Sequence, residues 1–289
     1  MNTITLHAHA KINLTLDILG RRADGYHDLS MVMQSVSLYD VLTVSKRSNG
    51  FVLHCAHPDM PREGSLVHRA FAAFFAETGL NGGAECTLEC RIPMQAGLGG
   101  GSADAAAMLI ALNTLYDSPL TEEMLCRIGR TLGADVPFCV MGGTRLAEGI
   151  GEQLQPLPAL PPCGIVLIKP PVGASTVEQF ARADRIPNLP HPSAARMIQA
   201  LRDRSLPAVA AALGNSFEAV IGLSEVAHCR QILQTLGACG ACMSGSGSTV
   251  YGIFPTWTQA QAAAAQALQL LPDCFVCACT PVSVGCAMQ

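Results

Sequence analysis

Apolar residues alternate with polar ones, or run together in strand-length pieces, over residues 3–9, 12–18, 29–37, 41–46 and 51–55. A period of two predicts β-strands. Turn signals stand between these pieces, among them Asp24-Gly25 and Ser48-Asn49-Gly50. The period changes over residues 66–77, where Leu66, Val67, Ala70, Phe71 and Phe74 share one helical face. Residues 85–92 return to strand and end at Pro93. A run of glycines follows. Residues 103–115 then predict a helix without Gly or Pro that is apolar nearly all round. Such a helix belongs in a buried position. A further helix is expected over 121–132, with Thr121 as N-cap and Glu123 in its first turn.

The prolines between Pro156 and Pro162 suggest a lobe boundary. Beyond them the pattern predicts a strand over 165–169 and helices near 193–203, 206–213 and 223–236. The tail reads strand 238–243, glycine loop, strand 249–254, helix 257–270 and strand 275–284. The expected fold is α+β in two lobes, residues 1–155 and 156–289.

Composition narrows the function. The 289 residues are 49% hydrophobic and 14% charged, with a net charge of −4. A chain of this length builds a large core. No basic stripe marks a nucleic-acid surface. No apolar run reaches the roughly 18 residues that span a bilayer. The opening MNTITLHAHAK lacks the n- and h-regions of a secretion signal, so a cytoplasmic protein is expected. The 13 cysteines are irregularly spaced. They are expected to be reduced thiols packed as small apolar residues. A zinc site drawn from Cys239, Cys242, Cys274, Cys277 and Cys279 has no histidine at finger spacing. His7 and His9 alternate on one strand face and are expected to be structural or solvated. The oligomeric state is not legible.

The glycine run Gly97-Leu98-Gly99-Gly100-Gly101-Ser102 lies between a strand and a buried helix. Glycines admit positive φ and close backbone approach. Consecutive N–H groups can then converge on phosphate oxygens, with the helix N-terminus adding its positive end. Ser102 can offer a hydroxyl to a phosphate or a metal ion. Asp104 reads as a first-turn carboxylate complementing the helix dipole. A Walker A loop would need a lysine where Gly101 stands, and a dinucleotide fingerprint a glycine where Ser102 stands. Protein-kinase motifs are absent. A flexible turn with incidental glycines is the alternative.

Further motifs accompany the loop. Upstream stand Ala10-Lys11-Ile12-Asn13-Leu14 and Asp24-Gly25-Tyr26-His27. Downstream stand Leu132-Gly133-Ala134-Asp135-Val136-Pro137 and Met243-Ser244-Gly245-Ser246-Gly247-Ser248-Thr249. Taken alone, Lys11 could be a strand-edge charge, Asp135 a turn residue, and Ser244–Thr249 a glycine hairpin.

Together these segments resemble the GHMP kinase superfamily over nearly the full length, with the weakest matching between residues 185 and 235. The resemblance implies a ribosomal-protein-S5-like N-terminal lobe, a ferredoxin-like C-terminal lobe and an active site in the cleft between them. It implies an ATP-dependent kinase acting on a small-molecule alcohol. Asp24-Gly25-Tyr26-His27 points to members that phosphorylate a cytidine diphosphate-linked polyol at its 2-hydroxyl, on the non-mevalonate route to isoprenoid precursors. Homoserine- or mevalonate-type kinases, or a non-catalytic nucleotide-binding relative, are the alternatives.

By the same resemblance Asp135 is the catalytic carboxylate and Lys11 its cationic partner. Pro93, Met94, Gln95, Ala96, Gly97, Leu98, Gly99, Gly100, Gly101, Ser102 and Ala103 cradle ATP. Asn13 and Thr176 contact the substrate, Tyr26 and Phe180 sandwich the cytosine, and His27 meets its polar edge. Ser244–Thr249 form a second glycine wall. Gln95-Ala96 and Ala103 depart from the family pattern, which is glycine-rich before the loop and often has serine after it. Mg²⁺ is expected to accompany ATP, with no protein ligand identifiable.

Overall fold

The computed structural model describes residues 2–57, 64–117 and 120–289. The chain opens with two long strands, β1 (Thr3–Arg21) and β2 (His27–Arg47). Each joins two of the expected shorter strands. Register shifts between His9 and Lys11, Asn13 and Thr15, and Ile18 and Gly20 bend β1 without ending it. These bulges decide which way each residue faces. Leu6, Ala8, Leu16 and Ile18 join one apolar core, whereas Ala10, Ile12 and Leu14 join a second. Unbroken alternation would keep all seven on one face. The segment between the first two bulges is therefore turned over, and Lys11 and Asn13 turn with it.

β3 (Gly50–Cys55) runs parallel to β4 (Gly83–Glu89), and the required crossover is α1 (Leu66–Thr78). The Ser65 hydroxyl caps α1 by accepting from the His68 N–H. α2 (Gly100–Leu115) crosses β1 and β2 and packs against α1, α3 (Glu122–Leu132) and α4 (Val136–Met141). That encirclement is why α2 is apolar on every side. Cys86 and Cys139 fill this core, and burial raises both thiols. β5 (Thr144–Gly149) and β6 (Gln153–Pro156) extend the sheet from β2. The sequence pattern did not reveal α4, β5 or β6, each of which has only four to six residues.

The second sheet is antiparallel, ordered β11-β7-β10-β9: β7 (Gly164–Lys169), β9 (Gly240–Met243), β10 (Val250–Phe254) and β11 (Phe275–Cys279). Helices α8 (Ser224–Thr235) and α9 (Trp257–Leu270) pack on it. The sheets are joined through the second core, where Ile12 and Val36 meet Leu167, Tyr251 and Ile253, with α6 (Ala194–Arg202) and α7 (Leu206–Ala212) alongside. A short α5 (Thr176–Ala183), unforeseen in the sequence, follows β7.

The expected strand 275–284 ends early. Thr280 and Val282 instead bond Ser37 and Ser35, and β12 (Cys286–Met288) pairs antiparallel with β1. β8 (Gly214–Asn215) pairs parallel with β1. Residues beyond Pro156 thus complete the first sheet. His7 stacks on Tyr39 at 4.0 Å and His9 meets the same ring edge-on at 5.6 Å. Among the described residues, no helix is long and apolar enough to cross a membrane.

Candidate active site

A cavity of about 1420 Å³ opens between the two sheets. Its floor is the entry to α2. Gly99 is the N-cap, with φ +73, so α2 starts at Gly100, three residues earlier than the pattern implied. The extra turn escaped notice because glycines weaken the helix signal. The Ala103 N–H donates to Gly99 O at 2.9 Å. The N–H groups of Gly100, Gly101 and Ser102 precede the first intrahelical bond and are available to an anion. Ala103 does not line the cavity: its side chain lies in the core and its N–H is already used.

Three hydrogen bonds fix the loop against β1 and the second glycine segment. The Lys11 N–H donates to Leu98 O at 2.9 Å, and a Cβ on Gly99 would stand 3.0 Å from Lys11 Cγ. The lysine stem therefore runs beneath the glycine. The Ser244 hydroxyl donates to Gly97 O at 2.8 Å, and the Thr249 N–H to Ala96 O at 3.2 Å. Asn215 holds the second loop from behind, donating to Met243 O and Gly245 O at 2.9 and 2.8 Å. The sequence reading missed Asn215, which lies in its weakest-matching stretch. Gln95 adopts a positive φ of 50°, a conformation glycine takes without steric cost.

Lys11 is 4% exposed, yet its ammonium is not alone. It donates to Asn13 Oδ1 at 2.8 Å and lies 3.4 Å from Asp135 Oδ2. Asn13 Oδ1 also accepts from the Gly245 N–H at 3.0 Å. Asp135 is the N-cap of α4, but its side chain makes no capping bond, so the carboxylate is left to Lys11 and the cavity. A buried lysine beside a half-open carboxylate, above free helix N–H groups, is suited to receiving phosphate and activating a hydroxyl.

Asp104 differs from its expected dipole role. It is 1% exposed and faces Asp40 of β2. Asp40 accepts N–H bonds from Arg91 and Ile92, the latter at 2.7 Å, fixing the approach to the loop. Burial pushes the Asp104 carboxyl well above the usual range, and the facing Asp40 adds to it. Burial also raises Asp40, against the pull of the Ile92 and Arg91 N–H groups.

At the far end lie Tyr26, His27, Thr176 and Phe180, all lining the same cavity. Tyr26 is 61% exposed. His27 stacks on Phe180 with centroids 4.5 Å apart, and Phe180 meets Phe217 edge-on at 4.9 Å. The Thr176 and Ser246 hydroxyls are 2.7 Å apart, tying α5 to the second glycine loop. His27 Nε2 lies 2.7 Å from Asp184 Oδ1. Asp184 also escaped the sequence reading, although it falls four residues after Phe180, the spacing of one helical face.

Comparison with known proteins agrees with this architecture. Residues 65–143 match the GHMP kinases N terminal domain, and residues 197–273 the GHMP kinases C terminal domain. A 4-diphosphocytidyl-2-C-methyl-D-erythritol kinase of Pelotomaculum thermopropionicum is 44% identical over 91% of this chain and 93% of its own. One from Moorella thermoacetica is 41% identical over 96% and 99%. A crystal structure of 4-(cytidine 5'-diphospho)-2C-methyl-D-erythritol kinase superposes with TM-score 0.81 at 37% identity, covering 96% of this chain and 98% of that one. Homoserine kinase from Cytophaga hutchinsonii shares the fold at TM-score 0.76 and 15% identity, covering 100% and 98%. With both lobes matched and relatives this similar over nearly its whole length, the chain belongs to the GHMP kinases, among the 4-diphosphocytidyl-2-C-methyl-D-erythritol kinases.

Proposed function

We propose that the chain transfers the γ-phosphoryl group of ATP to the 2-hydroxyl of 4-diphosphocytidyl-2-C-methyl-D-erythritol, giving the 2-phosphate and ADP. The observation that carries this reading is the Lys11–Asp135 pair, 3.4 Å apart beside the open N-terminus of α2. In this reading residues 1–155 carry the phosphate loop and residues 156–289 close the cleft.

The free N–H groups of Gly100 to Ser102 receive phosphate oxygens, and the helix dipole favours their charge. Asp135 orients the substrate hydroxyl and takes its proton as the oxygen attacks phosphorus. Lys11 pairs with that carboxylate at 3.4 Å and offsets charge on the phosphoryl group in transit. Asn13, fixed between Lys11 and the Gly245 N–H, holds the polyol near the reacting end. Ser102, whose hydroxyl lines the same cavity, would be the side chain within reach of a Mg²⁺ ion accompanying ATP, and that ion would supply charge neutralisation to the triphosphate. Tyr26, His27 and Phe180 receive the cytosine by stacking and edge contacts. The enzyme works in the cytoplasm.

An assay of ATP with the cytidylyl substrate, homoserine and mevalonate tests the reading. Phosphorylation of the cytidylyl compound at the highest kcat/KM is expected. Preference for either of the others overturns it.

A further inference from the structure

Asp184 lies outside every motif singled out in the sequence, yet its carboxylate meets the histidine stacked on Phe180. Thr176, Phe180 and Asp184 succeed one another at four-residue spacing along α5 and its C-cap. They therefore share a face and span about 12 Å at 1.5 Å per residue. Thr176 pins one end to Ser246 of the second glycine loop. Asp184 marks the other end, where His27 Nε2 lies 2.7 Å from its Oδ1. Arg21 Nη1 lies 3.7 Å from the remaining oxygen, Oδ2, and so helps turn Oδ1 towards the imidazole.

A carboxylate oxygen accepts hydrogen bonds, so the 2.7 Å contact is made with the hydrogen on Nε2. In the neutral ring that leaves Nδ1 as an acceptor. One face of the ring is covered by Phe180 at 4.5 Å and an interplanar angle of 15°. The Nδ1 edge is the polar part left to a ligand. Cytosine presents an amine at the position where uracil presents a carbonyl oxygen. An acceptor pairs with the first and repels the second.

Resting on the functional reading above, we propose that Asp184 is a positioning residue that holds His27 as its Nε2–H tautomer and thereby selects a cytosine over a uracil nucleotide. The selection is exerted through Nδ1, with Asp184 itself out of contact with the base.

The test compares wild type, Asp184→Asn and Asp184→Ala with the cytidylyl substrate and its uridylyl counterpart. An amide in place of the carboxylate can donate to Nε2 and so releases the tautomer. Loss of one such contact is worth about 1.4 kcal/mol, so KM for the cytidylyl substrate should rise about tenfold. The cytidylyl-to-uridylyl preference in kcat/KM should fall by a similar factor, while the KM for ATP stays unchanged. Nitrogen NMR of His27 in the wild-type protein should report the Nε2–H form. An unchanged nucleotide preference in both variants, a parallel rise in the KM for ATP, or an Nδ1–H tautomer in wild type each overturns the proposal. Wild type inactive on the cytidylyl substrate defeats the functional reading as well. Active wild type with an unchanged preference in the variants defeats the Asp184 role alone.

Discussion

The Lys11 ammonium stands 3.4 Å from the Asp135 carboxylate, although 124 positions separate the two residues in the chain. Nothing else on α4 uses that carboxylate, since its side chain makes no capping bond. Asp135→Asn therefore removes a base and leaves the fold. It should lower kcat by about 10²–10⁴-fold. Thermal midpoint and ATP affinity should hold near their wild-type values. Near-normal turnover would show that another group takes the proton.

Gly97 has φ +73, and a Cβ there would collide with the Ser244 carbonyl oxygen. Gly97→Ala must separate the two glycine loops or strain both. A destabilisation of about 1–3 kcal/mol is expected, with weakened ATP binding. Gly101 is the control: φ is unexceptional, and its added Cβ meets only Leu66 Cδ1 at 3.4 Å. Gly101→Ala should keep the wild-type melting temperature in calorimetry. Equal losses in both variants would show that the seam between the loops is unimportant.

The Asp40–Asp104 pair makes stability depend on pH. Burial raises both carboxyls, so the folded protein keeps protons that the unfolded chain has released. Their stabilising contribution is full below about pH 4, the ordinary carboxylate range, and is lost as pH rises through the raised folded values. Asp104→Asn lets an amide face Asp40 in place of a second acid. The variant should melt at least about 2 °C above wild type at pH 8, with the gap narrowing towards pH 4. A gap that widens on acidification would contradict the assignment.

Tyr26 is 61% exposed, so little of the fold depends on it. Its removal should be felt by the base. Tyr26→Ala is expected to raise KM for the cytidylyl substrate about tenfold, in line with roughly 1–3 kcal/mol per stacked base. KM for ATP and the melting temperature should barely change. Equal effects on both substrates would remove Tyr26 from base recognition.

Much of this molecule was legible from residue order alone, for local reasons. A period of two announces strands, and an apolar helix on all sides announces burial. Four glycines before a helix announce a place where backbone N–H groups can meet phosphate. Lys11, Asp135 and Tyr26-His27 stood inside motifs that carry a family resemblance. Short elements such as α4, β5 and α5 were not read from the pattern, although β3, β7 and α7, of similar length, were.

What only the tertiary structure decided is direction and company. Bulges on either side of Lys11 and Asn13 turn that part of β1 over towards the cavity, a choice made by pairing with β2. Asp104 appeared to be a dipole partner until the fold set Asp40 against it. Asn215 carries no local signal, and Asp184 only its four-residue spacing from Phe180, because each acts on backbone or ring atoms brought near by the chain's return. β12 closes beside β1, where a continuous strand had been expected within the second sheet. Sequence patterns record how each residue suits its neighbours along the chain. Hydrogen bonds across long separations depend on which surfaces the packed sheets and helices bring together, and that was settled only on folding.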